Sequence, residues 1–109
     1  MTGLLSLSVL LMSLAGAREA PSVTLTWKVK GGQDVYGCLV YRAGRREGPF
    51  LRISPRILRL PPGSGEDARD LSFVDTRVEK GKTYYYYLDI VRDSGTKERF
   101  SPVLSKTVE

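Results

Sequence analysis

The chain has 109 residues, of which 41% are hydrophobic, and a formal net charge of +5. This length suits one small domain with a single core. Because the chain has no His and only one Cys, it lacks the clustered ligands that a metal site needs. It also has neither a glycine-rich phosphate loop nor a serine nucleophile motif. We therefore expect a protein that is not an enzyme, with no catalytic residue, no metal site and no cofactor.

The N-terminal segment is typical of an export signal. Leu4 to Leu14 form a short apolar run that ends in Ala15-Gly16-Ala17, a small-x-small sequence of the kind that a signal peptidase cuts. The run is shorter than the ~20 apolar residues of a membrane-spanning helix. We predict a signal peptide over residues 1–17, no transmembrane span after its cleavage, and a secreted, periplasmic or cell-envelope location. Since no Lys or Arg precedes the run, a structural N-terminal segment stays open as the alternative.

From residue 18 onward the dominant pattern is alternation of apolar and polar residues between turn signals, which predicts short β-strands. Val23, Leu25, Trp27 and Val29 alternate with polar residues, and Gly31 begins a predicted turn. A stretch rich in Pro and Gly, residues 54–70, predicts a long mobile loop. Cys38 lies in an apolar run and is expected to be a buried, inert thiol. The predicted strands cover residues 23–29, 35–42, 50–53, 71–76, 83–91 and 102–108.

Positive charge is concentrated in residues 42–59, where Glu47 is the one acidic residue. Such a segment suits an anionic partner, although a solvated face with a basic loop is the plainer interpretation. No aromatic stacking platforms are interleaved with these arginines, so we expect no specific binding of nucleic acid. The arginines of the segment are Arg42, Arg45, Arg46, Arg52, Arg56 and Arg59.

Several of these segments, in this order, resemble the fibronectin type III domain family over about residues 21–109. Val23 to Trp27 is similar to the family's strand that ends in Trp, and Gly37 to Arg42 is similar to the next strand of bacterial members. Gly48 to Ile53 resembles the short strand that follows. Val78 to Tyr84 resembles the family's Leu-x-Pro-Gly-x-x-Tyr corner, with Val78 in the Leu position and Lys80 in the Pro position.

The resemblance implies an all-β, immunoglobulin-like (fibronectin type III) antiparallel β-sandwich over residues 18–109. Its expected core residues are Trp27, Val40, Tyr84, Tyr86 and Leu88. After cleavage only residues 18–20 remain to form the family's first strand, so that strand is expected to be reduced or missing. The edge near residues 23–29 would then be exposed, and it would invite strand addition from a partner or from the uncleaved N-terminus.

Alternation along residues 83–91 turns Tyr85 and Tyr87 toward solvent, where aromatic residues favour contact with a partner. The alternative is that Arg and Lys side chains simply cover the two rings. We predict a module that binds a protein or an anionic polysaccharide, in adhesion for example. The alternative is a structural spacer or an accessory subunit of a cell-envelope assembly. The expected binding residues are Tyr85, Tyr87, Arg42, Arg45, Arg46 and Arg52.

Overall fold

The structure, a computed structural model, is all-β in the part of the chain that it describes. It describes residues 3–10, 13–14, 17–18, 20–30, 34–61 and 68–109. Most of the predicted turn at 31–34, the middle of the predicted loop at 54–70 and part of the predicted signal peptide therefore lie outside the described residues. The strands are β1 Gly3–Leu10, β2 Ser13–Leu14, β3 Ala17–Arg18, β4 Ser22–Val29, β5 Val35–Ala43, β6 Leu51–Arg52, β7 Leu58–Arg59, β8 Arg69–Asp75, β9 Thr83–Arg92, β10 Lys97–Arg99 and β11 Leu104–Thr107.

Two antiparallel sheets pack as a β-sandwich. The first has the order β1-β4-β8, and the second has the order β10-β9-β5-β6, with β11 also on β9 and β7 also on β5. Strands β2 and β3 pair separately. The inner faces of both sheets supply the core, as two-period alternation requires. Its most buried members include Val23, Leu25, Trp27, Val40, Tyr86, Leu88 and Ile90.

The central strands follow the sequence pattern closely. In β4, Val23, Leu25, Trp27 and Val29 are buried and the residues between them are not. Of the expected core residues, Trp27, Val40, Tyr86 and Leu88 are at most 2% exposed. Tyr84 is half-buried and packs against the same cluster. The indole Nε1 of Trp27 lies beside the thiol of Cys38, a weak acceptor, and it has no stronger partner in the described part of the chain.

Beyond residue 18, two strands were not predicted from the sequence, and both are very short. Leu58–Arg59 pairs with Gly37 and Cys38 in β5, although it falls within the predicted loop at 54–70. Lys97–Arg99 pairs with the end of β9. Gly37 permits the close approach of the Leu58 segment, since a Cβ there would clash with the Leu58 carbonyl oxygen and lie 2.7 Å from Ile57 Cγ2. Such short strands are defined by their pairing with another strand, which local alternation does not report.

Segment 3–10 occupies the edge of the Trp27 strand. All eight residues of Gly3–Leu10 pair antiparallel with β4, from Gly3 opposite Val29 to Leu10 opposite Ser22. The sequence predicts a reduced or missing first strand for the chain after cleavage of residues 1–17. In the full chain that position is filled, and β4 has a partner on each side.

Two buried serines accept hydrogen bonds from backbone N–H groups of the central strands β5 and β9, at points where the neighbouring strands end. Beside β5, the Val40 N–H donates to Ser54 Oγ at 3.0 Å, next to the Ile53 N–H bond to the Val40 carbonyl. Beside β9, the Leu88 N–H donates to Ser101 Oγ at 2.9 Å. Each hydroxyl takes the place of a missing backbone acceptor, so no N–H is left unpaired at these two breaks.

Candidate functional site: a tyrosine–arginine face on the second sheet

The outer surface of the second sheet is built by cross-strand pairing of β10, β11, β9, β5, β6 and β7. Residues directly opposite each other in antiparallel strands point to the same side of the sheet. Tyr85 and Tyr87 therefore share this surface with the partners of their strand. The rows across the sheet are Lys97–Val91–Gly37–Arg59, Arg99–Asp89–Leu39, Tyr87–Tyr41–Arg52 and Ser105–Tyr85–Ala43.

Arginine side chains lie over both tyrosines that the sequence placed at this surface. The guanidinium carbon of Arg46 is 5.2 Å from the centre of the Tyr85 ring. That of Arg99 is 3.7 Å from the centre of the Tyr87 ring. Both distances are within the range of cation–π attraction. Alternation alone predicts exposed rings, but both are half-buried, because these arginines and neighbouring rings cover them.

Tyr87 is the centre of a small aromatic cluster. Its ring stacks on that of Tyr41, with centroids 4.7 Å apart and planes 11° from parallel. Phe50 approaches it at 4.9 Å in a tilted geometry. Because its neighbours already contact the ring, Tyr87 is not a free platform for a nucleic-acid base. The groups that the cluster presents to solvent are guanidiniums. We call Tyr41, Tyr85 and Tyr87 with Arg46, Arg52 and Arg99 the tyrosine–arginine face.

Beneath this layer, the outer side of the sheet has buried apolar residues of its own. Leu39 lies opposite Asp89, on the outer side, and yet it is fully buried. Ala43 and Val91, which also point outward, are only 4% exposed. The aromatic and arginine side chains thus form a third layer over the sheet. Since these contacts hold the stacked arginine side chains in place, less conformational entropy is lost when their N–H groups bind a ligand.

The face carries an excess of positive charge. Arg46, Arg52 and Arg99 are exposed, and within the described residues none of them forms an ion pair. Asp89 is the one carboxylate in the four rows, and it lies close to the Tyr41 hydroxyl. Burial raises the pKa of Asp89, while nearby Arg99 and Lys97 oppose that rise. Burial, followed by the charge of Asp89, likewise raises the pKa of Tyr41.

Arg42 does not belong to this surface, although it was expected there. It lies opposite Tyr86 and so points to the inner side of β5. Its Nη1 donates to Asp75 Oδ1 at 2.9 Å and Oδ2 at 3.0 Å, and to the Arg77 carbonyl at 3.0 Å. Its guanidinium also lies 5.5 Å from the Tyr84 ring. Because side chains on a strand alternate in direction, Arg42 points away from the outer face. Its hydrogen bonds to Asp75 on β8 link the two sheets.

The remaining expected binding residues lie on or near the face. Two further residues of the face were not predicted from the sequence. Arg52 is paired with Tyr41 on the outer side, and Arg45 is exposed in the turn that precedes Gly48. Arg99 and Tyr41 were not expected there. Alternation of Lys97 and Arg99 after the turn at 93–95 was the available signal, but placing them required the pairing of β10 with β9.

Other candidate chemistry is limited in the described residues. They contain no group of three or more His, Cys, Asp or Glu placed to hold a metal ion, and no helix among them is long and apolar enough to cross a membrane. Cys38 is fully buried, and burial raises the pKa of its thiol to about 11. The Tyr84 hydroxyl accepts the Glu79 N–H at 2.9 Å and so closes the corner before β9.

No family model and no curated protein matches the chain. Among solved structures, the chain is similar to the pectate lyase PelI from Erwinia chrysanthemi, determined in complex with tetragalacturonic acid. The two share 18% identity at a TM-score of 0.53, over 92% of this chain and 28% of that one. The chain thus spans just over a quarter of that enzyme's length. The likeness is one of fold, and it assigns neither activity nor ligand to this chain.

Proposed function

We propose that the protein is an exported, non-catalytic β-sandwich module that binds an anionic partner, a polysaccharide or a protein, through its tyrosine–arginine face. The observation that carries this proposal is the stacking of Arg46 on Tyr85 and of Arg99 on Tyr87. A guanidinium that stacks on a ring keeps its N–H edges for carboxylate, sulfate or phosphate groups. Neither arginine forms an ion pair within the described residues, so both are available to a ligand.

Membership of the fibronectin type III family is part of the proposal. It is supported by the two antiparallel sheets, by buried Trp27 and by the hydrogen bond between Tyr84 and the backbone of Glu79. A tyrosine that bonds a backbone group a few residues upstream is typical of immunoglobulin-like sandwiches. Export is supported by the apolar run and the small residues that end at Ala17.

The function is tested with the full 109-residue chain and three soluble polysaccharides. Polygalacturonate and dextran sulfate are the anionic probes, and uncharged dextran is the reference. Arg46→Gln combined with Arg99→Gln should weaken binding of an anionic probe about tenfold, because two favourable charge contacts are lost. Higher salt should weaken wild-type binding further by screening.

A matched control removes two charges elsewhere. Arg56→Gln with Lys80→Gln changes net charge equally, at exposed positions outside the face. An equal loss of binding in both double variants would mean that only total charge matters, which contradicts a site at this face. The spacer or accessory-subunit alternative would be favoured if no anionic polysaccharide or acidic protein is retained.

A further inference from the structure

A second surface of the molecule lies on the opposite side of β5, at the open flank of the sandwich. Here β6, the edge of the second sheet, and β8, the edge of the first sheet, border a groove of about 580 Å³. Strand β6 has only two residues, so it cannot close this flank. The groove is of the size that binding clefts commonly have.

The groove has an apolar lining that is unusually open to solvent. Leu51 points inward from β6, since it pairs with Arg42, but none of the described strands of the first sheet covers it, and it is 70% exposed. Val74 on β8 is 49% exposed at the rim of the groove, because it pairs with Thr24 and so points to the outer side of the first sheet. Half-buried Ile53 and Phe73 continue the same lining toward the core. Apolar side chains gathered in a cleft in this way mark an interaction site rather than scattered surface residues.

Strand β8 also offers backbone groups. It pairs with β4 along seven residues, from Arg69 to Asp75, and no other described strand pairs with it. Its outer edge therefore presents backbone N–H and C=O groups alongside the groove. An extended peptide can add to such an edge, where main-chain hydrogen bonds provide affinity and pockets for alternate side chains provide specificity.

The charges at the groove select the kind of peptide. Arg52 and Arg77 line it, and neither forms an ion pair within the described residues. The carboxylate of Asp75 does not offset them, because Arg42, the Tyr86 hydroxyl and the Arg77 N–H already occupy it. A second copy of this chain docked edge to edge would bring these arginines against each other, so we exclude it as the occupant.

We propose that this groove binds an extended acidic peptide, which adds to the free edge of β8, places apolar side chains against Leu51 and Phe73, and pairs its carboxylates with Arg52 and Arg77. This site lies on a different side of the second sheet from the tyrosine–arginine face, shares Arg52 with it, and does not depend on the function proposed for that face. Only Arg52 lies between the two, so it is left unchanged in the test.

The probe is an eight-residue peptide of alternating glutamate and valine, blocked at both ends and titrated into the full 109-residue chain. Amide chemical shifts and hydrogen exchange report the site. We expect shifts and slower exchange for amides of β8, and little change in β9. Leu51→Ser should weaken binding about tenfold through loss of apolar contact, and Arg77→Ser about threefold. Both side chains can be replaced without harm to folding, since Leu51 is exposed and Arg77 forms its hydrogen bonds to Arg42 and Asp75 through backbone atoms.

Three controls make the outcome decisive. Arg56→Ser removes an equal charge outside the groove and should bind the peptide like the wild type. A peptide with lysine in place of glutamate, and a glutamate–valine peptide that is N-methylated at alternate residues, should both bind at least tenfold more weakly. The proposal is overturned if either control peptide binds as well as the parent, or if the parent causes no shift at millimolar concentration. It is also overturned if Arg99→Ser abolishes binding while Leu51→Ser does not, because the peptide would then occupy the tyrosine–arginine face.

Discussion

Arg42 and Asp75 form an ion pair that joins the two sheets of the sandwich. Arg42 is on β5 and Asp75 ends β8, and the arginine Nη1 lies 2.9 Å from Asp75 Oδ1. The carboxylate is 3% exposed and also accepts hydrogen bonds from the Tyr86 hydroxyl at 2.8 Å and the Arg77 N–H at 3.1 Å. Burial and the nearby carboxylate raise the pKa of Tyr86 above its usual range, so its hydroxyl stays protonated and donates. The Asp75 carboxylate thus links β8 to β5 and β9.

Asp75→Ala should lower the free energy of unfolding by roughly 3 kcal/mol, because it leaves a half-buried guanidinium and a buried hydroxyl without their acceptor. Urea denaturation of the full chain measures the change. Asp70→Ala is the matched control, since Asp70 pairs with Lys28 at an exposed site. Its cost should be below about 1 kcal/mol. Equal costs for the two substitutions would contradict a structural role for the Asp75 network.

Tyr84→Phe should lower the free energy of unfolding by about 1 kcal/mol, since it removes the hydroxyl that accepts the Glu79 N–H and keeps the ring. Thermal and urea unfolding report the effect. Tyr85→Phe on the adjacent position is the control. Among the described residues, the Tyr85 hydroxyl forms no hydrogen bond, and the ring keeps its contact with Arg46. Removal of this hydroxyl should therefore leave the free energy of unfolding nearly unchanged. A larger loss in Tyr85→Phe than in Tyr84→Phe would refute the corner's contribution.

Cys38 should be unreactive toward thiol reagents at pH 8 in the folded protein, because it is buried and its pKa is raised to about 11. Reaction should be on the order of 1,000-fold slower than in denaturant, since it requires opening of the core. The pH dependence follows from linkage. The unfolded thiol loses its proton near pH 9 and the folded thiol near pH 11, so the thiol's contribution to stability is complete below pH 9. It declines as pH rises from 9 to 11.

This pH effect is measured as the difference in unfolding free energy between the wild type and Cys38→Ala, from pH 7 to pH 11. The difference should shrink at alkaline pH, because Ala has no proton to lose. A difference that stays constant across this range, or rapid modification of the native protein at pH 8, would show that Cys38 is accessible.

The exported protein should begin at Arg18, as Ala15 and Ala17 predict, and N-terminal sequencing measures this directly. Cleavage there removes β1 and leaves β4 without the partner that it has in the full chain. The shortened chain should therefore melt at a lower temperature than the full chain and associate more readily through its open edge. Recovery of intact Met1 from exported, folded protein would instead favour the structural N-terminal segment.

Local alternation was sufficient to predict the central strands and their faces. Trp27, Tyr86 and Leu88 were assigned to the core from sequence, and they lie there, because successive side chains on a strand point to opposite sides of the sheet. The same rule, applied to Tyr85 and Tyr87, gave the correct side of β9. It did not give their exposure, since the covering groups Arg46 and Arg99 come from other strands and turns.

What the sequence by itself determined is the fold class, an all-β chain with one core, because hydrophobic periodicity is a local property of each strand. Only the tertiary structure decided which distant residues meet. The register that sets Tyr41 beside Tyr87 also turns Arg42 inward to Asp75, and the brevity of β6 leaves Leu51 uncovered. The first two relationships depend on contacts between residues more than thirty positions apart. A shift of one residue would reverse every side chain, and no local pattern carries that information.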